Sequence, residues 1–295
     1  MTRDKDQAAV LSRIFSVGVV RELCNEARSP ILARLLRHSG EGFFSDSKAT
    51  LGEAYEHAFR ILRRVELRDE YVYRAAITQK ILLGRHSLDT ATMLPEMRAG
   101  ASKADVVVLN GTSNAYEIKS ERDSLARLPG QLRDYCSVYA SVTVVAAERH
   151  LPEVLKIAPI DVGVVMLSPR YTLRVVRPSQ HIPERTSPVA ILEALRVPEA
   201  CMILDSLGLE VPAVPNTRIR GELRRVFAAL DATSAHAAMV RILRHTRSQA
   251  RMREFIKTIP SSLRASVLTI HPEERARGNL KKAVDTPLVE VLKWT

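Results

Sequence analysis

The chain has 295 residues, 46% hydrophobic and 26% charged, a length that supports one large core or two modest ones and a balance that excludes a disordered tract. Its formal charge of +11 and pI near 9.9 create a field that draws polyanions, nucleic acid or anionic membrane surfaces. Cys24, Cys136 and Cys201 lie far apart with no CxxC pair, which argues against a disulfide framework and fits a reduced compartment. The start MTRDKDQAAV carries no apolar leader core, and no segment approaches the roughly 20 apolar residues of a membrane span. The expectation is a soluble cytoplasmic protein with no membrane partner.

In chain order, the apolar positions Val10, Leu11, Ile14, Val17, Leu23, Ile31, Leu32 and Leu35 predict short helices broken near Ser29-Pro30. GEGFFSDSKATLG reads as a loop, with Asp46 to Thr50 leading into a helix from about 51 to 65. YVYRAAITQKILLG is a further helical run, with Gly84 as its C-cap. The character then changes. TATMLPEMR predicts a strand whose Pro95 suggests an edge or a bulge. SKADVVVLNG and NAYEIKS predict a β-hairpin across Asn110-Gly111. LARLPGQLRDYCSVYA reads as a helix, SVTVVAA as a buried strand, and VGVVMLS with YTLRVVR as a second hairpin across Pro169-Arg170. From about Pro183 the chain is helical again: VAILEALR, EACMILDSLG, TRIRGELRRVFAAL and SAHAAMVRILRHTRSQARMREFIK. Hydrophobic period thus places an N-terminal helical region at 1–65, an α/β core at 66–180 and a basic helical region at 181–295.

Three polar residues stand where a strand hairpin should be apolar. Asp105 opens the run VVVL, and Glu117 and Lys119 flank Ile118. Side chains alternate along a strand, so Glu117 and Lys119 share one face and Ile118 takes the other. Pairing across Asn110-Gly111 sets Asp105 opposite them. Two carboxylates held together repel unless a cation lies between them, and hard oxygen ligands favour Mg²⁺, with Mn²⁺ as substitute. A lone Glu-x-Lys is normally a solvent-facing pair on an amphipathic strand; the aspartate, the turn and the following helix and strand distinguish this one.

Asp105 in KADVVVLN and Glu117-Ile118-Lys119 in YEIK resemble the PD-(D/E)XK nuclease superfamily. Gln131 and Tyr135 on the next helix have the QxxxY spacing of its RecB-like branch, which includes lambda exonuclease. The likeness covers about residues 70–147; YEIKSERDSLARLPGQLRDY is also similar to an uncharacterised bacterial nuclease-like family with helical flanks. Ala104 stands where the namesake pattern has proline. The resemblance implies a restriction-endonuclease-like mixed sheet flanked by helices and Mg²⁺-dependent phosphodiester hydrolysis, with DNA favoured over RNA, in repair, restriction or defence against mobile DNA. It implies that Asp105, Glu117 and the Ile118 carbonyl hold the metal, that Lys119 positions the attacking water, and that Gln131 and Tyr135 support the site. Glu96 is the expected upstream acid and Glu70 its rival.

Arg85 and His86 offer phosphate contacts after Gly84. Arg224, Arg241, Arg244, Arg247 and Arg251 offer a track along the C-terminal helices, against the alternative of a solvated basic face. His150 reads as structural. The helical flanks also present faces to a second copy or another protein. Two further readings stand beside the nuclease: a non-catalytic nucleic-acid-binding module on the same fold, and an RNA-targeting toxin-like or regulatory protein.

Overall fold

The computed structural model describes residues 2–39 and 49–295; most of the expected loop GEGFFSDSKATLG lies outside them. Helices α1 (Thr2–Ile14), α2 (Val17–Glu26) and α3 (Pro30–His38) follow through two short breaks. Ser16 and Ser29 cap α2 and α3 by accepting the N–H three residues on, and Pro30 takes a first-turn position where no donor is needed. Helix α4 (Leu51–Leu62) starts from a capping box between Thr50 and Glu53. Helix α5 (Glu70–Ile77) runs into a π-helical turn, Thr78–Leu82, and a last turn, α6 (Leu83–Arg85). Gly84 is therefore not a left-handed cap: it lies within helical backbone and is absent from the residues of positive φ. A Cβ there would stand 3.0 Å from the Gln79 carbonyl oxygen, so the wide turn crowds this position.

A six-stranded sheet follows, its strands side by side in sequence order: β1 (Thr92–Ala99), β2 (Ser102–Leu109), β3 (Ser113–Lys119), β4 (Ser141–Ala146), β5 (Gly163–Leu167) and β6 (Leu173–Arg177). β1, β2 and β3 are mutually antiparallel, β3, β4 and β5 parallel, and β5 and β6 antiparallel. Parallel neighbours need crossovers; helices α7 (Leu128–Cys136) and α8 (Leu151–Ile157) provide them. Pro95 sits in β1, an edge strand, where a missing donor costs no ladder bond. Gly111 turns the first hairpin at φ +98. The fold is mixed α/β, a mixed sheet flanked by helices.

Beyond the sheet come α9 (Pro188–Ala194), α10 (Val197–Ser206), α11 (Asn216–Ala228), α12 (Ala232–Thr246), α13 (Arg264–Ile270), α14 (Glu274–Asp285) and α15 (Leu288–Val291). The long helix expected through Lys257 stops at Thr246. Arg247 leaves helical geometry at φ −116 and sends its guanidinium onto Glu199 through two 2.7 Å hydrogen bonds. After it come short 3₁₀ turns.

The chain forms two units. One comprises Met1–Arg85, Pro169–Thr172 and Gln249–Thr295, the other His86–Ser168 and Leu173–Ser248. Neither matches a consecutive segment bounded near 65 or 180, because apolar faces far apart in sequence share a core. In the sheet unit, Ile191, Leu192, Ile203, Leu204, Leu223, Phe227, Met239 and Leu243 join Val142, Val144, Leu132 and Tyr135 in one cluster. In the helical unit, Phe15 stacks on Tyr71 and meets the edges of Tyr55 and Phe59, while α2 packs against α13 and α14.

One buried histidine gives the sheet unit a pH dependence. His236 on α12 is 4% exposed, and its Nε2 lies 2.8 Å from the Ser113 hydroxyl, which accepts the Ala140 N–H at 3.0 Å. Burial, with His181 nearby and Glu184 opposing, pushes its pKa down to about 4. The unfolded chain binds this proton near pH 6.5 and the folded one does not, so stability is intact above 6.5 and falls as pH drops toward 4. Melts at pH 7.5 and pH 5 should differ by about 2 kcal/mol from this residue. His236→Asn should remove that part of the difference; an unchanged pH dependence would show that His236 does not set it.

Candidate active site

The site is built from an interruption in two ladders. β1 and β2 keep one register through Pro95↔Val106 and Met97↔Ala104, and that register sets Glu96 opposite Asp105 at the position where the ladder skips. Glu96 adopts φ +48, a backbone region uncommon for a residue with a side chain. Core-facing positions change parity at this point, from Leu94 to Met97 and Ala99 on β1, and from Ala104 to Val107 and Leu109 on β2. Both strands therefore reset their pleat together. The β2–β3 ladder ends at Val106↔Tyr116, so the next pair in register, Asp105 and Glu117, is open. There the Asp105 carboxylate takes over the backbone's role: Oδ2 accepts the Ile118 N–H at 2.6 Å. Glu96, Asp105 and Glu117 thus stand in one row across three strands.

Glu117 and Lys119 share the β3 face that carries Ala115 into the core with Leu128, Leu132 and Tyr135 of α7. They are 2% and 5% exposed. Lys119 Nζ donates to Glu117 Oε1 at 2.7 Å and to Gln131 Oε1 at 3.0 Å. The Tyr135 hydroxyl lies 2.6 Å from Glu117 Oε2 and 2.7 Å from the Lys103 carbonyl oxygen, its one proton serving two acceptors. Gln131 and Tyr135 are one helical turn apart, which lets α7 reach both partners of the ion pair. Burial, then the Glu117 and Asp105 charges, raises the Tyr135 pKa far above the ordinary range and keeps the phenol protonated.

The structure therefore brings together Asp105, Glu117, Lys119, Gln131 and Tyr135. It corrects one expectation: the two carboxylates are not left to repel each other, since each already has partners. Glu96 is in the row but its side chain is more than half exposed and 3.7 Å from Lys103 Nζ. Glu70, the rival acid, bonds Arg74 in the helical unit. Among the described residues no group of three or more His, Cys, Asp or Glu side chains is gathered to hold a metal ion. The oxygen donors of Asp105 and Glu117 still suit Mg²⁺, which is bound through one or two carboxylates, water and substrate phosphate rather than by an all-protein cage.

Sequence reading missed the clamp that follows Lys119. The Ser120 N–H and hydroxyl both donate to Asp123 Oδ2, a Ser-x-x-Asp turn legible in principle from its spacing. His150, buried as a structural residue would be, places Nε2 3.0 Å from the Ser120 carbonyl oxygen, and Arg149 donates to the Glu121 carbonyl at 2.9 Å. Together they fix the end of β3.

Most of the basic residues singled out for nucleic acid have partners within the protein. Arg247 is committed to buried Glu199, Arg224 pairs with Glu193 at 3.0 Å, Arg241 donates to Ser206 at 2.9 Å, and Arg244 reaches the Asp89 carbonyl. His86 lies 2.9 Å from the Asn110 side-chain amide. Arg85 and Arg251 are exposed.

These features define a mixed α/β protein with a buried acid–lysine centre at one end of a six-stranded sheet. The family model for bacteriophage P4 protein cII matches residues 63–270, more than two thirds of the chain, and the chain belongs to that family. It is similar to Protein cII of Enterobacteria phage P4, with 41% identity over 101 residues. That match covers 34% of this chain and only 38% of the phage protein. No solved structure matches. No helix among the described residues is long and apolar enough to cross a membrane.

The Glu117–Lys119 pair has a thermodynamic consequence. Lys119→Met should destabilise the protein by about 3 kcal/mol, because it leaves a buried carboxylate without its cation. Glu117→Gln in the same chain should recover much of that loss. Urea unfolding of the single and double variants measures both, and equal stability of Lys119→Met and wild type would mean the pair is not buried in solution.

Proposed function

We propose that this protein is a metal-dependent nuclease of the PD-(D/E)XK type, with a restriction-endonuclease-like arrangement of its sheet, and that DNA is its favoured substrate. The observation that carries the reading is the convergence of Asp105, Glu117 and Lys119 with Gln131 and Tyr135 at an opened strand ladder. Buried charges are costly unless they serve something, and here Glu117 and Lys119 are buried beside the half-buried Asp105 at a sheet end, held by partners from β2, β3 and α7. Mg²⁺ or Mn²⁺, when bound, would supply Lewis-acid polarisation of the scissile phosphate. Asp105 and Glu117 are the residues that would hold it, with the carbonyl of Ile118, the residue after Glu117. Lys119 keeps a positive charge next to the reacting group, where it orients the attacking water and offsets charge developing on phosphate oxygens. Gln131 steadies the Lys119 ammonium, and Tyr135 ties Glu117 to the β2 backbone so that neither drifts.

The full engagement of Glu117 by Lys119 and Tyr135 favours a second reading, a nucleic-acid-binding module that has kept the fold without the chemistry. One set of assays separates them. Wild type and Asp105→Asn, which keeps an acceptor for the Ile118 N–H, are incubated with linear, circular and single-stranded DNA and with RNA, with and without Mg²⁺ or Mn²⁺. Binding is measured separately in Ca²⁺. The expected result is metal-dependent cutting by the wild type and a loss of about 10²-fold or more in the variant with binding intact. Equal cutting by both would remove Asp105 from the site, and no cutting by the wild type on any substrate would leave the binding module.

A further inference from the structure

Within the helical unit, three unusual features meet at Tyr171. Its backbone is at φ +60, which for a bulky side chain is a true outlier and persists only where surroundings enforce it. The ring is buried at 3% exposure, with the edge of Phe59 against it. The π-helical turn Thr78–Leu82 brings Gln79 Oε1 to 3.5 Å from the Tyr171 hydroxyl; such turns interrupt helices mostly where function needs a side chain displaced.

Two cations rest on this fixed ring. The Arg63 guanidinium carbon lies 4.0 Å from the ring centre, and Lys80 Nζ, carried by the π turn, lies 5.8 Å from it. Among the described residues, no hydrogen bond or ion pair engages either head group. Glu56, an acid whose charge acts on Tyr171, is committed to the Ser261 hydroxyl and the Ser262 N–H. Arg60, three residues before Arg63 on α4, Arg64, directly after Arg63 beyond the helix end, and Arg170, beside Tyr171 in the chain, are exposed, as is one carboxylate of this stretch, Glu66. Two like charges held against one aromatic ring carry an electrostatic cost that a bound anion would offset. A stacked guanidinium keeps its N–H edge free, in the planar fork that matches phosphate. The further cations continue the charge beyond a single anion, as a ligand with repeated phosphates requires.

We propose that Arg63 and Lys80, mounted on Tyr171, form a phosphate site that holds the backbone of a nucleic acid, with Arg60, Arg64 and Arg170 at its rim. The site belongs to the helical unit and does not depend on the hydrolytic reading of the sheet unit. Its test is the salt dependence of binding to a duplex DNA oligonucleotide in Ca²⁺, followed by fluorescence anisotropy. Arg63→Gln and Lys80→Gln should each weaken binding and flatten the slope of log K against log salt by about 1, and the double variant by about 2. Arg34→Gln, an exposed arginine of α3, should leave the slope unchanged, and thermal melts confirm that each variant is folded. Arg63→Lys should keep the slope while weakening binding, since it retains the charge and loses the stacked fork. An unchanged slope in the double variant, an equal loss in Arg34→Gln, or no DNA binding by the wild type would overturn the proposal. Binding in Ca²⁺ is read without any cutting, so a failure of catalysis and a failure of this site are told apart.

Discussion

A carboxylate with 2% of its surface exposed must be answered on both oxygens, and the organisation of the sheet unit follows from how Glu117 is answered. Lys119, two residues on, takes one oxygen because a strand returns to the same face with that period. Tyr135 takes the other from α7, which fixes how that helix lies over β3. The same phenol touches the β2 backbone at Lys103, so one hydroxyl ties together two strands and a helix. Asp105 completes the arrangement by holding Ile118 where the ladder would otherwise continue. Such a network rigidifies its surroundings only because its members are all engaged.

The parts of this that the sequence displayed are those governed by local rules. Asn110-Gly111 announced its hairpin, the alternation in YEIKS put Glu117 and Lys119 on one face, and the four-residue spacing of Gln131 and Tyr135 put both on one turn of α7. What it concealed depends on two chain segments at once. The reset of the pleat at Glu96 and Asp105 involves both strands in register, and no alternation pattern within either strand reveals it. The end of α12 is of the same kind: the apolar period runs on past Thr246, and the helix stops because Arg247 finds Glu199 forty-eight positions away. Likewise Gly84 had the signature of a cap, while the π turn before it carries helical backbone on through this position.

The formal charge of +11 also has a different meaning once the arginines are located. Several brace backbone carbonyls with more than one donor. Arg68, 1% exposed, donates to the carbonyls of Arg63 and Pro169. Arg177 reaches those of Ala158, Pro159 and Val162, and Arg220 those of Leu192 and Leu195 at the end of α9. A guanidinium suits this work because its donors fan out in a plane and it stays charged when buried. Composition counts these residues as a polyanion field, whereas the fold uses them as joints.

The helical unit is assembled from the two ends of the chain with a four-residue piece from the middle, Pro169–Thr172. A ribosome delivers these pieces in order, so α2 emerges with Val19, Val20, Leu23 and Cys24 ready to be covered and waits for α13 and α14, which are made after the whole of the sheet unit. Asn279 of α14 then closes over the α2 terminus, donating to the carbonyls of Cys24 and Asn25. The sheet unit, complete once Ser248 has been added, can fold while its neighbour is still unfinished. The nascent chain therefore carries this apolar face without α13 and α14 while the sheet unit is being made, an interval in which the face is exposed to aggregation.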